Sequence, residues 1–316
     1  MSKVTLKERI TTILKSIGRP ASIKEIAAQI DDKPESTIRG RLYENLDVVF
    51  KRVTRGVYWF TNEAAGVVLI EGNGRDLSVL DDSSIDAIVC DHPWEDNLSL
   101  KGGNRHIDSS YDSFKYTLED FQEKARVLKN GGYLVEVLPS ENASNFRYLF
   151  SIKDMAEKCG LNYYAKVPWI KGTFVSNQGR KSSNTEDIMF FTKGKPRALR
   201  PDVKRTKATG QQHYMSGTKK MLPTAFNIQP VPVRERLHQA EKPVRLYEEI
   251  IELITFNSGE VILDQTAGSG SLGIAAIRKN CFAVLFEILS ENVVTIKERL
   301  MNEFNIKPFH ELTSKY

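Results

Sequence analysis

Cysteine and histidine are scarce in this chain, three and five among 316 residues. Cys90, Cys159 and Cys281 lie far apart and lack the paired spacing of a zinc site or a disulfide scaffold. Buried thiols and no metal are the expectation. No stretch approaches the ~18 consecutive apolar residues of a membrane span. The opening MSKVTLKERITTILKSIG has the charged periodicity of a helix, where a signal peptide would show an apolar block. A cytoplasmic protein without a membrane partner is expected. Repeats and low-complexity tracts are missing too, and 41% hydrophobic with 27% charged residues excludes disorder and fibrous architecture.

Charge of either sign is barely in excess, 45 Lys and Arg against 40 Asp and Glu, but it is unevenly laid out. Residues 1–62 carry 12 basic and 7 acidic side chains and residues 193–236 carry 11 and 2, which leaves the remainder at a net −9. Two basic segments on an acidic body are the footprint of a polyanion-binding protein.

In the first 62 residues, Leu6, Ile10, Ile13, Leu14 and Ile17 recur at helical spacing, and Gly18 and Pro20 stop that helix. Ser22 with Glu25 forms a capping box for a second helix over Ile23–Ile30, and a third starts near Pro34 and runs to Leu46. Val48–Phe60 reads as two short strands turning at Thr54, Arg55 and Gly56. Three helices and a two-stranded wing resemble the winged helix-turn-helix family. That resemblance implies a double-stranded DNA partner, with Ser36, Thr37, Arg39 and Arg41 of the third helix in the major groove and Lys51, Arg52 and Arg55 on wing phosphates. Such modules also mediate protein contacts.

From Val67 the pattern becomes short apolar strands alternating with amphipathic helices, which predicts a parallel α/β sheet with helices on both faces over residues 66–316. Strands are expected at 67–70, 85–90, 133–138, 188–191, 261–263 and 283–286. Helices are expected at 117–128, 146–159, 244–254, 273–278 and 290–304. Lys193–Arg236 breaks that rhythm. Long, basic and without periodicity, it reads as an inserted recognition element whose Lys204, Arg205, Lys207, Lys219 and Lys220 meet DNA. The loop Glu95–Phe114, with Gly102, Gly103 and Arg105, reads as a lid over a flipped base and its phosphates.

Two motifs carry chemistry. DQTAGSGSLG, from Asp264 through Thr266, Gly268, Ser269 and Gly270 to Gly273, follows the strand VILD and opens a helix, with Glu287 ending the next strand to hold ribose hydroxyls. Alone it fits NAD as well as S-adenosylmethionine. Asp91-His92-Pro93-Trp94 sits at the end of the strand IDAIVC and suits a planar base bearing an exocyclic amine. Asp91 and the His92 carbonyl would each accept one N–H, Pro93 would stiffen the backbone, and Trp94 would stack on the extruded ring.

With that tetrapeptide the chain resembles the permuted amino-directed DNA methyltransferases, in which the catalytic tetrapeptide comes first and the glycine motif last. The family's tetrapeptide is Asp-Pro-Pro-Tyr or Asp-Pro-Pro-Trp. Asn73-Gly74-Arg75-Asp76 and VLKNGGYLVEV follow in the family's order, as does His238-Gln-Ala-Glu-Lys242-Pro243, which resembles its His-Pro-x-x-Lys-Pro segment. The resemblance spans about residues 66–304. It implies a Rossmann-like methyltransferase sheet, S-adenosylmethionine as cofactor, Asp76 near the adenine of that cofactor, and His238, Lys242 and Pro243 at its methionine end. Asp at the head of the tetrapeptide resembles the adenine-N6 members, while cytosine-N4 enzymes more often show Ser. Alternatives that stay open are cytosine N4, an RNA adenine substrate, and a silent fold that only binds DNA. The last is suggested by His92 in place of proline and by Gln265 and Thr266 in place of Pro and Phe. Family members often dimerise, so a homodimer is an expectation, and a cognate nuclease is left open.

Overall fold

A computed structural model describes residues 4–61, 65–94, 113–172, 184–199, 221–237 and 240–310, with backbone alone at 205–206, 212–213 and 311–312. The first element group is α1 (Leu6–Ile17), β1 (Ala21–Ser22), α2 (Ile23–Ala27), α3 (Glu35–Glu44), β2 (Phe50–Thr54) and β3 (Val57–Phe60). Reciprocal capping boxes, Thr5 with Glu8 and Ser22 with Glu25, start α1 and α2, and Gly18 at φ 72° ends α1. Ile10, Leu14, Ile26, Ile38 and Leu42 fill the space between the helices and an antiparallel sheet ordered β1-β3-β2. β1 has two residues, too few to leave a periodic signal.

The body contains β4 (Gly66–Glu71), β5 (Ile85–Cys90), α4 (Leu118–Val127), β6 (Leu128–Pro139), α5 (Phe146–Lys158), β7 (Leu161–Ile170), β8 (Thr185–Lys193), β9 (Arg205–Thr206), β10 (Gln212–His213), β11 (Phe226–Asn227), α6 (Val244–Ile254), β12 (Val261–Asp264), α7 (Ser271–Arg278), β13 (Phe282–Glu287), α8 (Ser290–Phe304) and β14 (Phe309–Leu312). Nine strands form one sheet in the order β11-β7-β8-β6-β5-β12-β13-β4-β14. Every expected strand and helix of the body is present. β7, β11 and β14 are additions, and β8 runs antiparallel to both its neighbours, so the sheet is mixed. β7 escaped detection because its exposed Asn162, Tyr163 and Tyr164 interrupt the apolar pattern.

Alternating side chains serve opposite faces. Val68, Ile70, Ile88 and Cys90 pack with Phe121 of α4 and Leu149 and Ile152 of α5. Val67, Leu69, Ala87 and Val89 pack with Leu246 and Ile250 of α6, Ile274 of α7 and Ile296 of α8. Burial on both faces explains why these strands read as continuous apolar runs.

The ends of the basic segment belong to this body. Lys193 donates to the Leu128 carbonyl at 2.7 Å and Arg197 pairs with Glu260 at 2.9 Å. β11 adds an edge strand to β7, and Trp169 Nε1 donates to the Ile228 carbonyl at 2.8 Å. β9 and β10 pair as a short antiparallel ribbon. Lys204, Lys207, Lys219 and Lys220 lie outside the described residues, as does the side chain of Arg205.

The N-terminal unit docks at the amino ends of the parallel strands. Lys51 Nζ donates to the Gly259 carbonyl at 2.8 Å and sits 3.6 Å from the centre of the Phe282 ring, which opens β13. Asp81, in the loop before β5, takes Arg52 at 2.7 Å and Arg55 at 3.3 Å. This corrects the expectation for Lys51 as a wing contact to phosphate, since its ammonium is turned into the body, while Arg52 and Arg55 meet Asp81 and Arg55 stays largely exposed.

Burial lowers the Lys51 ammonium to about 8 from 10.5. The unfolded chain therefore binds the extra proton between these values, and stability should rise as pH climbs from about 8 to 10.5. Chemical unfolding at several pH values should show that slope in the wild type and a smaller one in Lys51→Met.

Candidate active site

β4, β5, β12 and β13 run parallel, so Glu71, Cys90, Asp264 and Glu287 end at one edge of the sheet. β5 and β12 are adjacent there, and from them the chain leaves in opposite directions, to β6 and to β13. The crevice outside such a switch point is where open α/β sheets bind ligands. Thr266 Oγ1 donates to the Asp91 carbonyl at 3.0 Å, tying the glycine turn to the tetrapeptide.

The tetrapeptide leaves two acceptors for an amine. The carbonyl of Pro93 accepts from Phe114 N–H at 3.0 Å and that of Asp91 from Thr266, while no protein donor among the described residues engages that of His92. The His92 imidazole points inward. Its Nε2 lies 2.8 Å from Tyr148 Oη, its ring centre is 4.0 Å from that of Tyr116, and its buried Nδ1 lacks a partner among the described residues. The His92 ring is thus packed inside the protein, and its backbone carbonyl is the part of the residue left for a ligand. Burial, with Lys124 and Lys242 nearby, holds it well below the usual histidine range and therefore neutral. Packing takes over the stiffening that the family's proline supplies through its fixed φ. Pro93 and Trp94 are half-buried.

Beneath the loop lies a polar cluster. Lys124 and Glu136 form a salt bridge with neither side chain exposed, and Tyr116 donates to Glu136 at 2.9 Å. Burial raises the Glu136 carboxyl, against the pull of Lys124. Tyr148 Oη accepts from Tyr116 N–H at 3.1 Å, so α5 braces the same loop. Neither Lys124, inside a helix of ordinary composition, nor Glu136, in an apolar strand, gave a signal as a site residue. Only a charged residue within the run YLVEV hinted at a buried partner.

On the glycine side, Gly268 and Gly270 hold positive φ of 53° and 77°, and Gly270 caps α7. Gln265 Nε2 donates to the Gly74 carbonyl at 2.5 Å, and any Cβ on Gly74 would lie 1.9 Å from the Gln265 carbonyl oxygen. Gln265 thus joins this turn to the Asn73–Asp76 loop, where Asp76 is exposed and accepts from Ser78 N–H at 3.0 Å. Asp264 is buried, accepts from Thr266 N–H at 3.0 Å, and is raised to about 8 by that burial. Glu287 accepts from Gly268 N–H at 2.7 Å and Leu289 N–H at 2.9 Å, and burial raises it too. Ser269 is buried beside Ser271, and Pro243 caps α6. Glu241, unforeseen in the sequence, accepts from Ser271 at 3.2 Å and Arg299 at 3.0 Å. It thereby fixes the segment bearing Lys242, whose ammonium lies 2.6 Å from Asp91 Oδ2. His238 and Arg105 fall outside the described residues. These residues fit S-adenosylmethionine: carboxylates end β12 and β13, the turn admits a close ligand, and the buried Gln265 Oε1 has no partner among the described residues.

A glycine turn on one central strand, with an acidic tetrapeptide on the next, defines a methyltransferase sheet, and S-adenosylmethionine is the cofactor of that class. Residues 85–298 match the family of N6 and N4 methyltransferases described as DNA methylase, and the chain belongs to it. Type II methyltransferase M.HpaI of Haemophilus parainfluenzae is 26% identical over 236 residues, 72% of each chain. DNA adenine methyltransferase YhdJ of Escherichia coli is 27% identical over 261 residues, 74% of this chain and 82% of its own. The fold is similar to that of M1.HpyAVI in complex with SAM, with TM-score 0.50, 20% identity, and 74% and 100% of the two chains covered. It is also similar to the cytosine-N4-specific PvuII DNA methyltransferase, with TM-score 0.53, 17% identity, and 78% and 90% covered. Among the described residues no helix is long and apolar enough to cross a membrane.

Losing one partner of a fully buried pair leaves an uncompensated charge, at a cost of about 3–5 kcal/mol. Lys124→Met should lower the unfolding free energy by that order. Lys124→Met with Glu136→Gln should recover much of it, since Gln still accepts from Tyr116; urea unfolding of both variants checks this.

Proposed function

We propose that this DNA methyltransferase transfers its methyl group to the exocyclic N6 amine of an adenine flipped out of duplex DNA. The observation that carries this reading is the pair of acceptors at the end of β5: the Asp91 carboxylate and the His92 carbonyl, beside the glycine turn of β12. An amine conjugated to a ring is a poor nucleophile. Two acceptors, one for each N–H, draw the nitrogen toward a tetrahedral state and expose its lone pair. Trp94 stacks on the ring and Pro93 limits the backbone's freedom. S-adenosylmethionine, when bound, supplies an electrophilic methyl group. Asp264, Gly268, Ser269, Gly270 and Glu287 would hold it, with Asp76, Thr266, His238, Lys242 and Pro243 around it. No strong base is needed before attack, because the amine proton can leave afterwards to water or to Asp91. His92, neutral and buried, takes no proton.

Adenine is favoured over cytosine N4 by the Asp that heads the tetrapeptide and by the adenine-specific name of one relative, YhdJ. The winged helix-turn-helix reading of residues 1–62 is supported by three helices with an antiparallel sheet. In it Ser36, Thr37, Arg39 and Arg41 lie on exposed parts of α3. Arg39 and Arg41 pair with Glu35 and Glu44 at 2.7 Å, exposed contacts that a phosphate can displace at small cost. Arg105, Lys204, Arg205, Lys207, Lys219 and Lys220 would add phosphate and base contacts from the two loops.

Incubation with labelled S-adenosylmethionine and unmodified genomic DNA, followed by nucleoside mass spectrometry, should yield N6-methyladenine that is lost in Asp91→Ala. N4-methylcytosine would move the target, and undiminished product in the variant would remove Asp91 from the chemistry. Arg39→Ala with Arg41→Ala should weaken duplex binding and make its log–log salt dependence shallower by about two. Single-turnover transfer at saturating DNA should be spared; an unchanged salt slope would give α3 another partner.

A further inference from the structure

Four charges alternate along one line at the catalytic end of the sheet: Lys171, Glu186, Lys242 and Asp91. Lys242 Nζ lies 2.6 Å from Asp91 Oδ2 and 3.5 Å from Glu186 Oε2, while Lys171 bonds Glu186 Oε1. The side chains of Lys242, Glu186 and Asp91 are only 7%, 11% and 14% exposed. Glu186 Oε2 is buried and makes no hydrogen bond among the described residues. One ammonium therefore faces two carboxylates, bonded closely to one and paired at longer range with the other. Its backbone is fixed, because the neighbouring Glu241 is held by Ser271 and Arg299.

Asp91 must serve two needs that conflict. It has to be ionised inside a buried site, and its oxygen has to be free to accept from the base. We propose, on the reading of function given above, that Lys242 is a positioning residue that holds the Asp91 carboxylate until the base amine arrives and then passes to Glu186 Oε2. Lys171 keeps Glu186 as the waiting anion. In the second arrangement Asp91 exchanges the ammonium for the N–H of the base while Lys242 and Lys171 share Glu186, so the line keeps two cations for two carboxylates throughout.

The surroundings agree with this role. Burial raises the Asp91 carboxyl, Lys242 and Lys171 oppose that, and Glu186 reinforces it. Asp264 on β12 and Glu136 on β6, the latter bound to Lys124 and Tyr116, also face this region, as do Tyr247 on α6 and Cys90 on β5. None of these four is a cation, so Lys242 is the group that stabilises the Asp91 anion most directly. Burial opposes the charge on Lys242 itself, but Asp91 and Glu186 outweigh it and raise its pKa.

The test is single-turnover methylation across pH for the wild type, Lys242→Met, Lys242→Arg and Glu186→Gln, each shown to be folded by thermal unfolding. Losing a cation beside a carboxylate raises the acid limb of the profile by about 1–3 pH units, so Lys242→Met should show that rise and Lys242→Arg should largely reverse it. Glu186→Gln should slow transfer several-fold at every pH, in kcat more than in KM for the duplex, without raising the acid limb. The Asp91 carboxyl band, identified in infrared difference spectra by subtraction of Asp91→Asn, should titrate higher in Lys242→Met with no substrate present. Superimposable profiles and an unmoved band would overturn the holding role, and a Glu186→Gln protein as fast as the wild type would overturn the handover. Absence of product from the folded wild type would overturn the function and the handover together, whereas product with superimposable profiles counts against this inference alone.

Discussion

The bond from Thr266 Oγ1 to the Asp91 carbonyl joins the tetrapeptide loop to the glycine turn. Asp91 follows β5 and Thr266 follows β12, 175 residues later, yet the strands are neighbours in the sheet. Parallel pairing of β5 with β12 brings their carboxyl ends to one edge, and the threonine hydroxyl then sets the tetrapeptide against the glycine turn. Asp91 O and Pro93 O are both engaged by the protein, which leaves the His92 carbonyl, of these three, without a protein donor among the described residues. Without that constraint, the charges around Asp91 would have no fixed object.

Those charges are the second organising feature. Two buried lysines, Lys124 and Lys242, lie near the loop, one bonded to Glu136 and the other to Asp91. Buried ion pairs contribute little net stability compared with apolar packing, since desolvation offsets most of their attraction. Their value here is positional. Tyr116 and Tyr148 extend the Lys124 cluster to His92, and Lys171 and Glu186 extend the Lys242 line to β8. Three residues that depart from the family pattern find their places in this frame. His92 is locked by packing, Gln265 bonds the Gly74 carbonyl, and Thr266 makes the bond to Asp91.

The strands and helices of the body were legible because burial on both faces writes long apolar runs, and because helix ends carry capping boxes and glycines. The site was legible where backbone shape dictates residue type: Gly268 and Gly270 at positive φ, and the acidic tetrapeptide after a strand. Less visible was anything that depends on a distant partner. Lys124, Glu136, Tyr148, Glu186 and Glu241 are ordinary residues in their own segments, and their roles arise from contacts with remote parts of the chain. The wing lysine misled for the same reason. Lys51 looks like a phosphate contact until the Gly259 carbonyl and the Phe282 ring are set beside it.

By itself the sequence determined the α/β character of the body and the order of its motifs, and through those motifs its resemblance to the amino-directed DNA methyltransferases. The first two follow from local rules of periodicity and turn geometry acting within a few residues, and the third from the likeness of the motifs to those of the family. The tertiary structure alone decided which charges face one another, that Lys242 sits between two carboxylates, and that the N-terminal unit docks at the amino ends of the strands, away from the catalytic edge. Electrostatic pairing acts through space between segments whose separation along the chain carries no information about their distance, so no reading of the chain in order could supply it.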